Sequence, residues 1–156
     1  MFQDLAAGDG PLGGLLSDDV LGALVGAVAY SAVGIVLMVL GYLVTDWLTP
    51  GKLGELIWTE RNMNAAILLA SNVLGVGLIV VGAIWASEGN VLVGVVSTFV
   101  YGVIGLGAMS LAFLVLDWLT PGKLGAIVVA EGTQPAVWVS AAMHLALGGV
   151  IAMALS

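Results

Sequence analysis

The chain has no cysteine, one histidine, and three basic residues against ten acidic ones in its 156. Without cysteine there is no disulfide, no thiolate metal site and no cysteine redox chemistry. A formal charge of −7 leaves nothing to neutralise phosphates, which excludes nucleic acid as a partner. A lone His with no second His, Cys or carboxylate at ligand spacing is a poor metal site, so no metal or cofactor is expected. Charge of either sign is scarce: 8% of residues, against about 25% in soluble domains.

What fills the chain instead is apolar, 61% of it, in runs without a charged side chain at 20–45, 63–87, 89–116 and 132–156. Each run exceeds the roughly 20 residues that a helix needs to cross about 30 Å of hydrocarbon. The runs lack the apolar/polar alternation of barrel strands, and only helices or closed barrels satisfy every backbone group in lipid. The expected fold is therefore all-α integral membrane, with four transmembrane helices and the bilayer as its main partner. Asp4, Asp9, Asp18 and Asp19 precede the first run with no Lys or Arg among them, so the basic region of a cleaved signal peptide is missing. The first helix is expected to stay in the mature protein.

The nonapeptide DWLTPGKLG occurs at 46–54 and, unchanged, at 117–125. Sliding the chain by that spacing also aligns Val20, Tyr30, Gly34, Met38 and Leu43 with Val91, Tyr101, Gly105, Met109 and Leu114, and Glu60, Ala65 and Gly77 with Glu131, Ala136 and Gly148. The pattern predicts a tandem duplication: an outer N-terminal arm at 1–19, a first two-helix repeat at 20–88, and a second at 89–156. Two helices per unit make the repeats parallel, with a pseudo-two-fold axis along the membrane normal. Lys52, Arg61 and Lys123 all fall in the linkers within the repeats. The positive-inside tendency puts those linkers in the cytoplasm and both termini outside. Trp47, Trp58, Trp85, Trp118 and Trp138 fall at or near expected helix ends, as an interfacial aromatic belt requires.

Within the nonapeptide, Thr49-Pro50 and Thr120-Pro121 read as an N-cap followed by proline at the first helical position. Each predicts a short cytoplasmic interfacial helix, with Leu53, Leu56 and Ile57 or Leu124, Ile127 and Val128 as its apolar face. Asp46 and Asp117 should reach the edge of the hydrocarbon, and Lys52 and Lys123 are the nearest cationic partners. Three readings fit: an ion pair pinning the bend, a charged gate or cation site formed by both copies, or a docking point for a cytoplasmic protein.

Polar side chains inside the membrane are the other candidates, because lipid penalises them unless a partner answers. Ser71 and Asn72 lie in the second helix, His144 in the fourth, and Tyr30 and Tyr101 midway along the first and third. His144 shares a helical face with Ser140 and Gly148, which favours a close contact with an interhelical hydrogen bond. Proton or ion handling is the competing reading, and catalysis a distant third. Tyr30 and Gly34, repeated as Tyr101 and Gly105, predict a ring lying against a notch on a facing helix.

With its duplicated two-helix unit, LTPG after each odd-numbered helix, and ERNMNAAILLASNVLGVGL at 60–78, the chain resembles the bacterial family called domain of unknown function 350, which includes YjfL-like small inner-membrane proteins. The resemblance covers residue 20 to the end and implies two copies of a two-helix unit. It brings no assigned activity, only a link to envelope physiology. It also matches Asn62, Asn64, Ala65 and Ala66 to the family's pattern at the start of the second helix, where the second copy has Thr133, Pro135, Ala136 and Val137. If polar side chains there do work, the first half is expected to carry more of it. The expected function is a non-enzymatic scaffold or sensor in the plasma membrane, homo-oligomeric; the alternative is a small oligomeric ion or solute channel or transporter.

Overall fold

A computed structural model describes residues 18–87, 90–119, 124–130 and 132–155. Most of the expected N-terminal arm, the centre of the outer turn, and Thr120, Pro121 and Lys123 of the second loop lie outside the described residues. Those that are described form α1 (Asp18–Leu48), a short π-helical segment (Glu55–Thr59), α2 (Met63–Trp85), α3 (Val91–Leu119), α4 (Leu124–Val128) and α5 (Pro135–Leu155). Four helices, Val20–Leu48, Met63–Trp85, Val91–Leu119 and Pro135–Leu155, are long and apolar enough to cross a membrane.

Local chemistry sets the helix starts. Asn62 caps α2, its Oδ1 accepting the amides of Asn64 at 2.9 Å and Ala65 at 3.1 Å. Asn90 does the same for α3 through the Leu92 amide at 2.9 Å. Pro135 opens α5, where its missing N–H costs no hydrogen bond.

Thr49-Pro50 does not open a helix as the sequence suggests. Gly51 has φ 92°, which breaks any helix begun at Pro50, and helical turns resume at Leu53. The cap comes from Asp46, whose Oδ1 accepts the Leu53 amide at 2.7 Å, while the buried Thr49 hydroxyl has no protein partner. The apolar face of this segment also turns inward: Leu53 and Leu56 join Leu68, Phe113, Val128 and Val137 in one core cluster. These side chains pack on the bundle because the loop folds back over the ends of α2 and α5.

Helix α2 is the centre of the bundle, touching α1, α3 and α5, and its interface with α5 is the most extensive. Contacts fix the directions. Residues 71 and 75 of α2 meet 144 and 148 of α5, so these two run parallel. Residues 26, 37 and 41 of α1 meet 91, 102 and 106 of α3, so these do too. In lipid the tails are as apolar as leucine, so helices associate through close packing more than through hydrophobic burial. Here the closest packing is backbone on backbone: a Cβ on Gly148 would sit 2.6 Å from the Gly75 carbonyl oxygen. The second core cluster, Leu37, Val76, Ile79, Val80, Leu106 and Met109, fills the space between α1, α2 and α3.

The two halves are not packed alike. Gly34 and Gly105, aligned by sequence, both lie against α2, at neighbouring Val80 and Ile79. Tyr30 reaches Ser87 Oγ at 2.8 Å and seals the notch at Gly94, whereas Tyr101 is exposed. The predicted ring-in-notch contact is thus present for one tyrosine of the pair.

Arg61 adopts φ 54°, and its sequence counterpart Gly132 has φ 75°. The left-handed turn lets the Asn62 amide reach the Leu56 carbonyl at 2.8 Å, closing the π-helical segment before α2. A side chain there costs roughly 1–2 kcal/mol that glycine avoids. Arg61→Gly is therefore expected to stabilise the protein by about 0.5–1 kcal/mol after the entropic cost of glycine, measured by unfolding in detergent. Arg61→Ala should give no gain, which separates backbone strain from loss of charge.

Candidate functional site

Near the middle of α2 and α5 the bundle gathers a set of buried polar side chains. Close approach at Gly75 and Gly148 brings His144 Nδ1 to 3.0 Å from Ser71 Oγ. Ser71 Oγ donates to the Leu68 carbonyl at 2.9 Å, and the Phe113 ring stacks on the imidazole with centroids 6.4 Å apart. On the other side of α2, Asn72 Nδ2 donates to Thr45 Oγ1 at 2.6 Å, and Thr45 donates to the Gly41 carbonyl at 2.8 Å. Ser110 on α3 donates to the Leu106 carbonyl at 2.7 Å.

Beside them is a small cavity of about 10 Å³, lined by Thr45, Leu48, Asn72, Met109, Ser110, Phe113 and His144. Asn72, Thr45, Ser71 and His144 are all buried, and Asn72 Oδ1 has no hydrogen-bond partner in the protein. The cavity is the size of about one water molecule. It joins four helices, so whatever alters His144 or Asn72 acts where the bundle is held together.

Sequence reasoning selected Asn72, Ser71 and His144, and the structure brings them together. It missed Thr45 and Ser110. Thr45 reads as a helix end beside Asp46, and its signal was the i,i+4 spacing from Gly41 that lets its hydroxyl bond back to the helix. Ser110 is a single hydroxyl in an apolar run, and nothing in its neighbours marks the side it faces.

The charged candidates sit elsewhere. Neither Asp46 nor Asp117 lines the cavity. Each carboxylate accepts a backbone amide further along the chain: Asp46 that of Leu53, Asp117 that of Gly125 at 3.4 Å. Lys52 pairs with Glu55 at 3.8 Å instead of Asp46, with both side chains exposed. The backbone amide takes Asp46 because the bend points it there, and an exposed i,i+3 pair contributes at most about 1 kcal/mol. Asp117 borders an open groove of about 320 Å³ with Leu48, Pro50, Phe113 and Gly125, and Arg61 borders another of about 450 Å³ with Glu60, Asn62 and Thr133.

Asn64 joins the two halves. Its Nδ2 donates to the carbonyls of Gly132 at 2.8 Å, Ala130 at 3.1 Å and Ile127 at 3.4 Å, and its Oδ1 accepts the Gln134 amide at 2.9 Å. One buried amide thus holds the end of α4 and the start of α5 against the start of α2. Its counterpart Pro135 has no side-chain donor, so this tie exists in one direction only.

No cluster of three or more His, Cys, Asp or Glu suited to a metal ion occurs among the described residues. The family model described as Domain of Unknown Function (DUF350) matches residues 19–155. The chain is 35% identical over 137 residues to a UPF0719 transmembrane protein of Mycobacterium bovis, which covers 88% of this chain and 90% of the relative. A UPF0719 transmembrane protein of Mycolicibacterium paratuberculosis is 32% identical over 137 residues, covering 88% and 91%. No solved structure matches the chain.

Proposed function

The chain belongs to the domain of unknown function 350 family, and from that premise we propose that it is a non-enzymatic scaffold or sensor component of envelope physiology in the bacterial plasma membrane. In this reading two tandem hairpins are its building units, its termini face outward, and the DWLTPGKLG loops dock a cytoplasmic protein. One observation carries the proposal. The interior polar side chains bond to one another and to helix carbonyls around a cavity that holds about one water, whereas exposed Trp47, Trp58, Lys52 and Glu55 gather at the loop end. The chemistry on offer is recognition at a surface. Ser71 and His144 form a pair, but mid-helix amides are spent on helix carbonyls and leave no oxyanion donors, which argues against hydrolysis. The apolar outer faces of α1 and α3, with open space at Gly22 and Gly107, suit self-association.

Reversing both loop charges, Lys52→Glu with Lys123→Glu, is expected to lower recovery of a crosslinked cytoplasmic partner at least tenfold while the protein still inserts and folds. Unchanged recovery would count against the docking role.

The second reading, a small oligomeric channel or transporter using Asn72, His144, Asp46 and Asp117, is favoured by the unpartnered Asn72 Oδ1 beside His144. It expects reconstituted protein to give ion or solute flux that Asp46→Asn or His144→Ala reduces several-fold. Silent, tight liposomes across protons, cations and polyamines would rule it out.

A further inference from the structure

The chamber between α1, α2, α3 and α5 presents acceptors. The hydroxyl hydrogens of Thr45 and Ser110 are directed to the Gly41 and Leu106 carbonyls. Asn72 gives an Nδ2 hydrogen to Thr45 and leaves Oδ1 buried without a partner. Ser71 directs its hydrogen to the Leu68 carbonyl, so it meets His144 as an acceptor. With Ser71 as the acceptor, the imidazole hydrogen lies on Nδ1 and Nε2 carries the lone pair, on a side chain that lines the chamber.

The buried Asn72 carbonyl oxygen lacks a donor, a deficit that a bound donor would remove. We propose that the chamber is a binding site for one water molecule, which donates one hydrogen to Asn72 Oδ1 and the other to His144 Nε2. The volume, about 10 Å³, is at the lower limit for a single water. Ammonium would meet the same acceptors, but no carboxylate lines the chamber to balance its charge. The consequence is a hydrated basic nitrogen in the middle of the bundle, tied through Asn72 to Thr45 on α1. That chemistry belongs to a proton-accepting site, and it holds under either functional reading.

The chain has one histidine, so every imidazole signal in protein labelled with ¹⁵N-histidine is His144. Solid-state NMR of bilayer-reconstituted protein at neutral pH is expected to show hydrogen on Nδ1, none on Nε2, and polarisation transfer from a trapped water to Nε2. In Asn72→Leu, close in volume but without Oδ1, that transfer should fall at least about fivefold while the Nδ1–H signal persists and reports an intact Ser71 contact. Hydrogen on Nε2, no water transfer in the wild type, or undiminished transfer in Asn72→Leu would overturn the proposal, as would displacement of the water signal by ammonium chloride. Should leucine prevent folding, the wild-type spectrum alone still decides.

Discussion

Asn64→Ala is expected to destabilise the protein by on the order of 2–3 kcal/mol through the loss of its hydrogen bonds. Each intramolecular hydrogen bond contributes only about 1 kcal/mol net, but a buried group left without a partner costs about 1–3 kcal/mol. Truncation removes the partner of the Ala130 and Gly132 carbonyls and of the Gln134 amide together, and because Ala130 and Gly132 border the open groove beside Arg61, water answers part of the loss. Asn64→Asp makes the test sharper. The carboxylate still accepts from Gln134 but loses both donors and faces carbonyl oxygens, so it should be at least as damaging as alanine at neutral pH. Unfolding of purified protein in detergent measures both. If Asn64→Ala lies within about 1 kcal/mol of wild type, the corner is not the tie between the halves that the geometry describes.

Gly148→Ala should be the second severe change, and Gly149→Ala next to it a harmless one. The added Cβ at 148 would lie 2.6 Å from the Gly75 oxygen and 2.7 Å from its Cα, while at 149 nothing lies within 4 Å. Backbone atoms cannot step aside as a side chain tip can, so α2 and α5 must part along their length. Overpacking costs about 1–3 kcal/mol when side chains can adjust, and a backbone clash belongs at or above the top of that range. Gly149→Ala should instead gain up to about 1 kcal/mol from helix propensity. Separation also stretches the Ser71–His144 hydrogen bond, which is 3.0 Å in the wild type, so the imidazole signal should change in Gly148→Ala and stay put in Gly149→Ala. Equal stability of the two variants would contradict the close contact.

Much of this was legible in the residues. Four charge-free runs became four membrane-crossing helices, because length and hydropathy alone decide whether a helix suits lipid. The shared face of His144, Ser140 and Gly148 led to the buried contact with α2, since small residues at one-turn spacing permit close approach. The bend was harder. Pro50 reads as a helix start only if the residue after it is helical, and the φ of Gly51 is a property of the folded loop. The partner of Asp46 was also out of reach: Lys52 is near in sequence, but the turn aims the Leu53 amide at the carboxylate and sends the lysine out toward Glu55.

The sequence by itself determined the environment, the number of helices and their approximate ends, because these follow from composition along a single line of residues. Only the tertiary structure decided that α2 sits at the centre, that Tyr30 and Tyr101 meet different surroundings, and that Thr45 and Ser110 join Asn72 and His144 around one cavity. In lipid an apolar side chain gains little from choosing one apolar neighbour over another, so hydropathy carries no instruction about which helices touch. That choice is made by where glycines let backbones close and where buried amides and hydroxyls find partners. Both are properties of pairs of helices, and no single stretch of the chain contains them.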